Sequence, residues 1–396
     1  MGSRRKWHEG FKKFAAVGVA LAIVAGCSTA TATPTPNSPA SSASIVPFAY
    51  GIQAGKSAAP SAAAMASGIS RATVAPITVD QITADFGCGV DYLTPLAHLY
   101  GVILGDFCVI TVVNNNAAEV KVVVTSEVTG YTSVATDTVT IPAGGTQELR
   151  QNPRLTPSAI DSLNAPHDAD VHVVVSYLQA GQPRTVLDQT STTNVTSRRD
   201  FPWQIDGFTE HQVDELLAVM VTQNDPAVEE MIRKAANYRA DHAMGATETA
   251  ADALDEMSAI WQTESKDYHL YYVNTTETFS AAFQRIRLPG EVLPEASGNC
   301  IELTLLYAAA AEALGLKGYL ILIPGHAYFA VDLTGKGDVV IIETTLIRGD
   351  TFTDALAAGT QEWNDASPHL QAGEKEYDVV DVEAARADGV LPIPWH

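Results

Sequence analysis

Cys300 is a nucleophilic side chain in a position where chemistry can use it. It follows Gly298-Asn299 and opens the apolar run Ile301-Glu302-Leu303-Thr304-Leu305-Leu306-Tyr307. Gly-Asn ahead of such a run is an N-cap signal, so Cys300 belongs in the first turn of a helix. There the positive end of the helix dipole favours thiolate over thiol. Gly325 lies 25 residues beyond Cys300, with His326 next to it and Glu343 further on. An imidazole can take a thiol proton, and a carboxylate can hold that imidazole's tautomer and orientation. Together the three residue types suit acyl transfer through a covalent thioester.

The elements around these residues must bring them together. Ala308–Ala311 are strong helix formers, and Gly315 is a stop signal. Tyr319-Leu320-Ile321-Leu322-Ile323 reads as a buried strand, broken by Pro324-Gly325. His326 to Val331 and Val339 to Glu343 read as two more strands, joined by the turn Thr334-Gly335-Lys336-Gly337. A two-residue turn that pairs Leu333 with Lys336 puts His326 directly opposite Glu343, on one face. A slip of one residue would put them on opposite faces.

With these residues in place, the chain resembles a known family. Gly298-Asn299-Cys300 heads a helix, Gly325-His326-Ala327 starts a strand, and Glu343-Thr344-Thr345 ends the next. This pattern resembles the transglutaminase-like, papain-related thiol superfamily. The resemblance covers roughly residues 205–396 in element order and is most specific around 298–346. It implies an α+β transglutaminase-like domain with Cys300 as nucleophile, His326 as base and Glu343 as third member. Tyr328 stands where the family commonly has Trp, and Glu343-Thr344-Thr345 where an Asp-Pro-Thr-like ending is usual. The backbone N–H of Cys300 is one expected oxyanion donor, with Gln284 and Asn299 as side-chain candidates. No cofactor and no metal site is expected. The sequence has no HExxH, no CxxC pair and no calcium loop.

Ahead of Cys300, the pattern turns helical from about residue 205. Thr209 is a candidate N-cap for a helix from Glu210 to Val221. Asp225-Pro226 opens a second helix to about Ala240, and a third covers about Thr247 to Thr263. Residues 76–204 read instead as strands: Phe107–Val113, Val120–Thr125, Thr138–Ile141 and Val171–Tyr177, with turn residues between them. That spacing suggests an antiparallel β-sandwich and looks immunoglobulin-like. Cys88 and Cys108 lie near each other in this stretch and are expected to form a disulfide. Its loop of about 20 residues makes the bridge worth about 3 kcal/mol.

The remaining cysteine reads as an address. Residues 1–26 have a basic start, then an apolar run from Phe14 to Ala25, ending Val24-Ala25-Gly26-Cys27. The run falls short of the ~20 apolar residues a spanning helix needs. Small residues before a cysteine resemble a lipobox, which implies a cleaved signal peptide and lipidation of Cys27. Residues 27–75 are rich in Ser, Thr, Ala and Pro and read as a flexible tether, interrupted by the apolar island Ile45-Val46-Pro47-Phe48. The whole chain carries 24 Lys+Arg and 46 Asp+Glu. Removing residues 1–26 leaves 19 basic against 45 acidic residues, a net of −26. Such a surface argues against nucleic acid or anionic lipid as a partner of the globular part. The expectation is therefore an extracytoplasmic, membrane-anchored lipoprotein acting on a peptide or protein amide by hydrolysis or amine transfer. The alternative is a non-catalytic binding or scaffold lipoprotein that retains the fold.

Overall fold

Alternating β-branched residues shape the first half of the structure, a computed structural model that describes residues 46–47, 69–245, 249–274 and 282–394. Strand β1 (Val46–Pro47) comes first, followed by β2 (Arg71–Val79), β3 (Ile82–Gly89) and β4 (Asp91–Tyr92). Next come β5 (Cys108–Asn114), β6 (Val120–Val128), β7 (Ala135–Ile141) and β8 (Thr146–Gln151). A short helix α1 (Pro157–Ser162) precedes the long pair β9 (His167–Gln179) and β10 (Gln182–Val195). One sheet has the order β2-β3-β5-β8 and the other β4-β10-β9-β6-β7. Every pairing in them is antiparallel except β4 with β10. Each sheet buries one face. Ile82, Phe86, Ile110 and Val112 of the first share a core with Val122, Val124, Val173 and Val175 of the second. Strand β2 starts at Arg71, within the span that composition assigns to the tether, because Arg71–Val74 pairs with Phe86–Gly89.

Cys88 and Cys108 are directly opposed on β3 and β5, with Cα atoms 4.1 Å apart, and form a disulfide. Neighbouring antiparallel strands bring opposed residues this close. The bridge therefore ties two strands of one sheet, not one sheet to the other.

The second half mixes helices and strands. Strand β11 (Asp200–Pro202) leads to helices α2 (Glu210–Leu216), α3 (Pro226–Ala235) and α4 (Ala250–Lys266). Then come β12 (Tyr271–Tyr272), β13 (Phe283–Arg285), α5 (Pro289–Glu295), β14 (Ser297–Gly298) and α6 (Cys300–Ala313). The chain closes with β15 (Lys317–Ile323), β16 (His326–Asp332), β17 (Asp338–Ile342), α7 (Phe352–Ala372), β18 (Asp378–Asp381) and α8 (Val382–Ala387). α2 ends earlier than expected, and a 3-10 turn (Leu217–Met220) carries the chain on. The last sheet has the order β1-β17-β16-β15-β18, antiparallel throughout. Two residues of the expected tether thus form its edge strand. Pro47 suits an edge, since it has no N–H to offer a further strand.

This sheet is a septum between two helices. Leu320, Ala327, Phe329, Val331 and Val340 belong to the core cluster shared with α6. The alternate residues Ile321, Tyr328, Ala330, Val339 and Ile341 pack with Trp363, Ala366 and Leu370 of α7. Helix α6 is buried along nearly its whole length, which its all-round apolar sequence requires.

The β16–β17 register differs from expectation. Phe329 pairs with Ile342 and Asp332 with Val339, so Glu343 falls opposite Tyr328, not His326. The cause is a longer turn. Leu333 N–H bonds Asp338 O, and Thr334–Gly337 form the loop. Asp332 carboxylate oxygens accept from Thr334 N–H at 3.1 Å and Gly337 N–H at 2.8 Å. Gly335 (φ +68°) and Gly337 (φ +98°) supply the left-handed conformations that the loop needs. A shift of two residues preserves the side-chain alternation, so His326 and Glu343 still share a face.

The two halves are bonded to each other. β11 pairs with β13, Arg198 and Arg199 both reach Glu291, and His98 Nε2 bonds Leu391 O at 2.8 Å. Among the described residues, no helix is long and apolar enough to cross a membrane. Cys27, the targeting segment 1–26 and most of the stretch 27–75 lie outside the described residues.

Candidate active site

Cys300 is the first residue of α6 and 7% exposed. Asn299 caps the helix. Its Oδ1 accepts from Glu302 N–H at 3.0 Å, and Glu302 Oε2 accepts from Asn299 N–H at 3.0 Å. Arg287 grips the same Glu302, with Nε 2.9 Å from Oε1 and an Nη 2.6 Å from Oε2. This buried ion pair fixes the start of the helix and so the height of Cys300. The N–H groups of Cys300 and Ile301 lie in the first turn, where no carbonyl of the helix itself is in reach.

His326 begins β16 just after Pro324-Gly325, where Gly325 adopts φ +77°. Ile323 pairs with His326 across that turn, so the imidazole stands at the very end of the sheet. Its Nε2–H donates to Glu343 Oε2 at 2.8 Å. The Cys300 side chain lies near enough to the same ring to help raise its pKa. With Nε2 engaged by carboxylate, Nδ1 is the nitrogen left for the sulfur.

Glu343 follows β17 and is 3% exposed. Its Oε1 accepts from Thr345 N–H at 2.8 Å and from the Thr345 hydroxyl, capping a 3-10 turn (Thr344–Leu346). Its own N–H bonds Ala355 O of α7 at 3.1 Å. Gly359 makes this approach possible. A Cβ there would lie 2.9 Å from the Ile341 carbonyl and 3.0 Å from Glu343 N.

The charges follow from this wiring. Burial alone would push the His326 imidazolium down, but bonds to Cys300, Glu343 and Glu362 outweigh it and push it up to about 12. Burial would raise Glu343, but the His326 bond and charge, with help from Glu362 and Thr345, hold it down at about 2. Both shifts favour imidazolium beside carboxylate.

Two neighbours escaped the sequence reading. Glu362 on α7 places Oε2 3.5 Å from His326 Nε2. The capping signal Thr351-x-x-Asp354 and the spacing Ala355, Gly359, Trp363, Ala366, Leu370 would have revealed the helix, though not the role. Tyr272 pairs with Gly298 through β12–β14, and its hydroxyl feels the charges of Cys300, His326 and Glu343.

Gln284 is buried on β13 and accepts from Trp203 Nε1–H at 2.9 Å through Oε1. Asn299 is occupied with the helix cap. Neither reaches Cys300 or His326 among the described hydrogen bonds, so the backbone N–H groups of the first turn are the nearest oxyanion donors. His326, Glu343 and Glu362 each offer one ligand atom within 4.8 Å of the others, the spacing a metal ion could use. The 2.8 Å imidazole–carboxylate bond, however, already occupies the Nε2 direction.

Comparison with known proteins adds little. No family model and no curated protein matches the chain. A crystal structure of a protein from Archaeoglobus fulgidus aligns with 32% of this chain and 95% of that one, at 11% identity and a TM-score of 0.19. At that score nothing transfers from one to the other.

Proposed function

We propose that this chain is a lipid-anchored thiol enzyme working outside the cytoplasm. In this reading a transglutaminase-like catalytic domain lies behind an immunoglobulin-like sandwich that serves as spacer or docking module. The observation that carries the reading is the His326–Glu343 bond at the end of the sheet, with the Cys300 side chain interacting with the same ring. The Cys88–Cys108 disulfide is compatible with an oxidising compartment. The substrate class is a peptide or protein amide.

The steps follow from the geometry. The sulfur of Cys300 attacks the amide carbonyl carbon as a thiolate, its proton already carried on His326 Nδ1. The oxygen that gains charge is met by the N–H groups at the head of α6. His326 returns the proton to the leaving amine, the C–N bond breaks, and a thioester remains on Cys300. Water, giving a proton to the same nitrogen, releases the acid; an amine in its place gives a new amide. Glu343 stays ionised and holds the ring in position throughout.

Labelling with a thiol electrophile, followed by peptide mapping, tests the reading. At about pH 6.5, well below the pKa of a free thiol, iodoacetamide should label Cys300 faster than an ordinary exposed cysteine, and His326→Ala should abolish the advantage. Labelling no faster than that of an ordinary thiol would favour the binding-protein alternative.

A further inference from the structure

Glu362 is the one carboxyl at this site that the proposed chemistry does not use. It sits on α7, one turn beyond Gly359, and only the glycine's close approach to Ile341 brings it in. Its side chain is 34% exposed, yet Oε2 is buried, has no hydrogen-bond donor among the described residues, and faces His326 Nε2 at 3.5 Å. A Glu362 oxygen also lies within 4.8 Å of a Glu343 oxygen. We propose that Glu362 is a positioning residue: a second carboxyl that clamps Glu343 and the Nε2 edge of His326, so that Nδ1 stays aimed at Cys300.

Two carboxyls this close are costly to charge together, which favours one proton shared by the pair. Glu343 has the donors, from His326 and Thr345, and keeps the charge. Glu362 is raised, chiefly by burial and by the Glu343 charge, against the pull of His326. A protonated Glu362 donates to Glu343 and removes that carboxylate's freedom to rotate. If the imidazolium starts to lose its proton at high pH, Glu362 can ionise and oppose the loss. The other groups facing the cluster are Cys300 from α6, Tyr272 from β12, Tyr328 from β16, Asp365 from α7, and Tyr377. None of them bonds Nε2 among the described residues.

The inference rests on the thiol–imidazole reading, so the test reads His326 directly. The intact protein carries ring-labelled histidine, and NMR follows the His326 titration in wild type, Glu362→Gln and Glu362→Leu. Leucine should lower the midpoint by roughly one pH unit or more, and glutamine, which still donates to Glu343, by less. Iodoacetamide labelling of Cys300 should slow in the same order. Should the leucine variant fail to fold, the glutamine variant decides alone. Unshifted midpoints with unchanged melting would overturn the proposal even if Cys300 remains reactive. A shifted midpoint with an unreactive wild-type Cys300 would keep the clamp and sink the enzyme. If the protein carries a bound divalent metal that Glu362→Gln loses, the cluster is a metal site and the clamp is overturned.

Discussion

His326 and His211 each meet a pair of carboxyl groups. His326 has Glu343 at 2.8 Å and Glu362 at 3.5 Å, both on Nε2. His211, on α2, has Asp378 at 2.6 Å on Nδ1 and Glu215 at 3.4 Å on Nε2. The Asp378 charge in turn raises Asp214, just as the Glu343 charge raises Glu362. The residue types are nearly the same, but the wiring is not. Both nitrogens of His211 are occupied, and its side chain is 56% exposed. His326 is 19% exposed and has Nδ1 left over, beside a thiol. A histidine between carboxylates is common surface chemistry; a free nitrogen aimed at a nucleophile is what makes the first cluster a candidate active site.

That contrast is broken most directly by mutating each cluster. Cys300→Ala should eliminate covalent labelling and turnover. His326→Ala should slow turnover by about 10²–10⁴-fold, the usual worth of a general base. Glu343→Gln should cost less, because an amide of similar size can still hold the ring. Double variants should add little to the worst single one, since the three act as a unit. His211→Ala should leave the labelling rate of Cys300 unchanged. A comparable loss from His211→Ala would mean that the two clusters are coupled and that the contrast is false.

Gly359→Ala sharpens the comparison without touching a charged group. The new Cβ would meet backbone atoms of Ile341 and Glu343 at 2.9 to 3.0 Å, and backbone cannot swing away as a side-chain tip can. α7 must lift, carrying Glu362 with it. We expect a loss of about 1–3 kcal/mol in denaturant unfolding, together with slower Cys300 labelling. Normal labelling in the destabilised protein would show that the α7 carboxyl is dispensable. The His211 cluster lies elsewhere and should titrate unchanged.

These positions were not equally legible. Cys300 and His326 sit beside strong local punctuation, Gly-Asn before a helix and Pro-Gly before a strand, so the sequence marks them. For Glu343 the hairpin register expected from the turn is off by two residues. The face is still right, because β side chains alternate with period two and an even shift preserves it. The extra residues in the loop come from Asp332 folding back onto Thr334 and Gly337, a side-chain choice with no periodic signature. Glu362 was out of reach for a different reason. A glutamate on an amphipathic helix reads as solvated, and only tertiary approach through Gly359 turns it inward. In the sandwich, β-branched alternation marks β5, β6 and β9 well. The edge strand β1 was only an unexplained apolar island, because two residues carry no period at all.

Acid and base should separate the clusters by sign. Glu343, held down at about 2, contributes stability that is present above its ordinary 4.5 and lost as pH falls toward 2. His326, pushed up to about 12, contributes stability that is full below 6.5 and lost as pH rises toward 12. The melting penalty of Glu343→Gln should therefore be greatest between pH 4.5 and 6.5 and shrink on both sides. A penalty that stays flat from pH 3 to pH 9, on the order of those windows, would show that the pair carries no net charge coupling.

The smallest effect belongs to Asp214. Burial first, and then the neighbouring Asp378 charge, push its carboxyl up to about 8. A raised carboxyl means that the folded state holds its proton more tightly than the unfolded state. Stability then falls as pH climbs from the ordinary 3.8 to 8, the reverse of Glu343. His211, pushed up to about 10 by Asp378 and Glu215, loses its contribution over an overlapping alkaline range. The corner where α2 meets β18 should accordingly loosen in base. Asp214→Asn keeps a side chain that can donate to Asp378 but removes the group that must ionise. Relative to wild type, its melting temperature should rise steadily between pH 4 and pH 8 and then level off, by about one to three degrees in all. Cys300 labelling should not change, because the substitution lies outside the thiol cluster. A difference that is constant with pH would mean that Asp214 is already charged in the folded protein. The carboxyl pair beside His211 would then not share a proton, and the likeness between the two clusters would end at their composition.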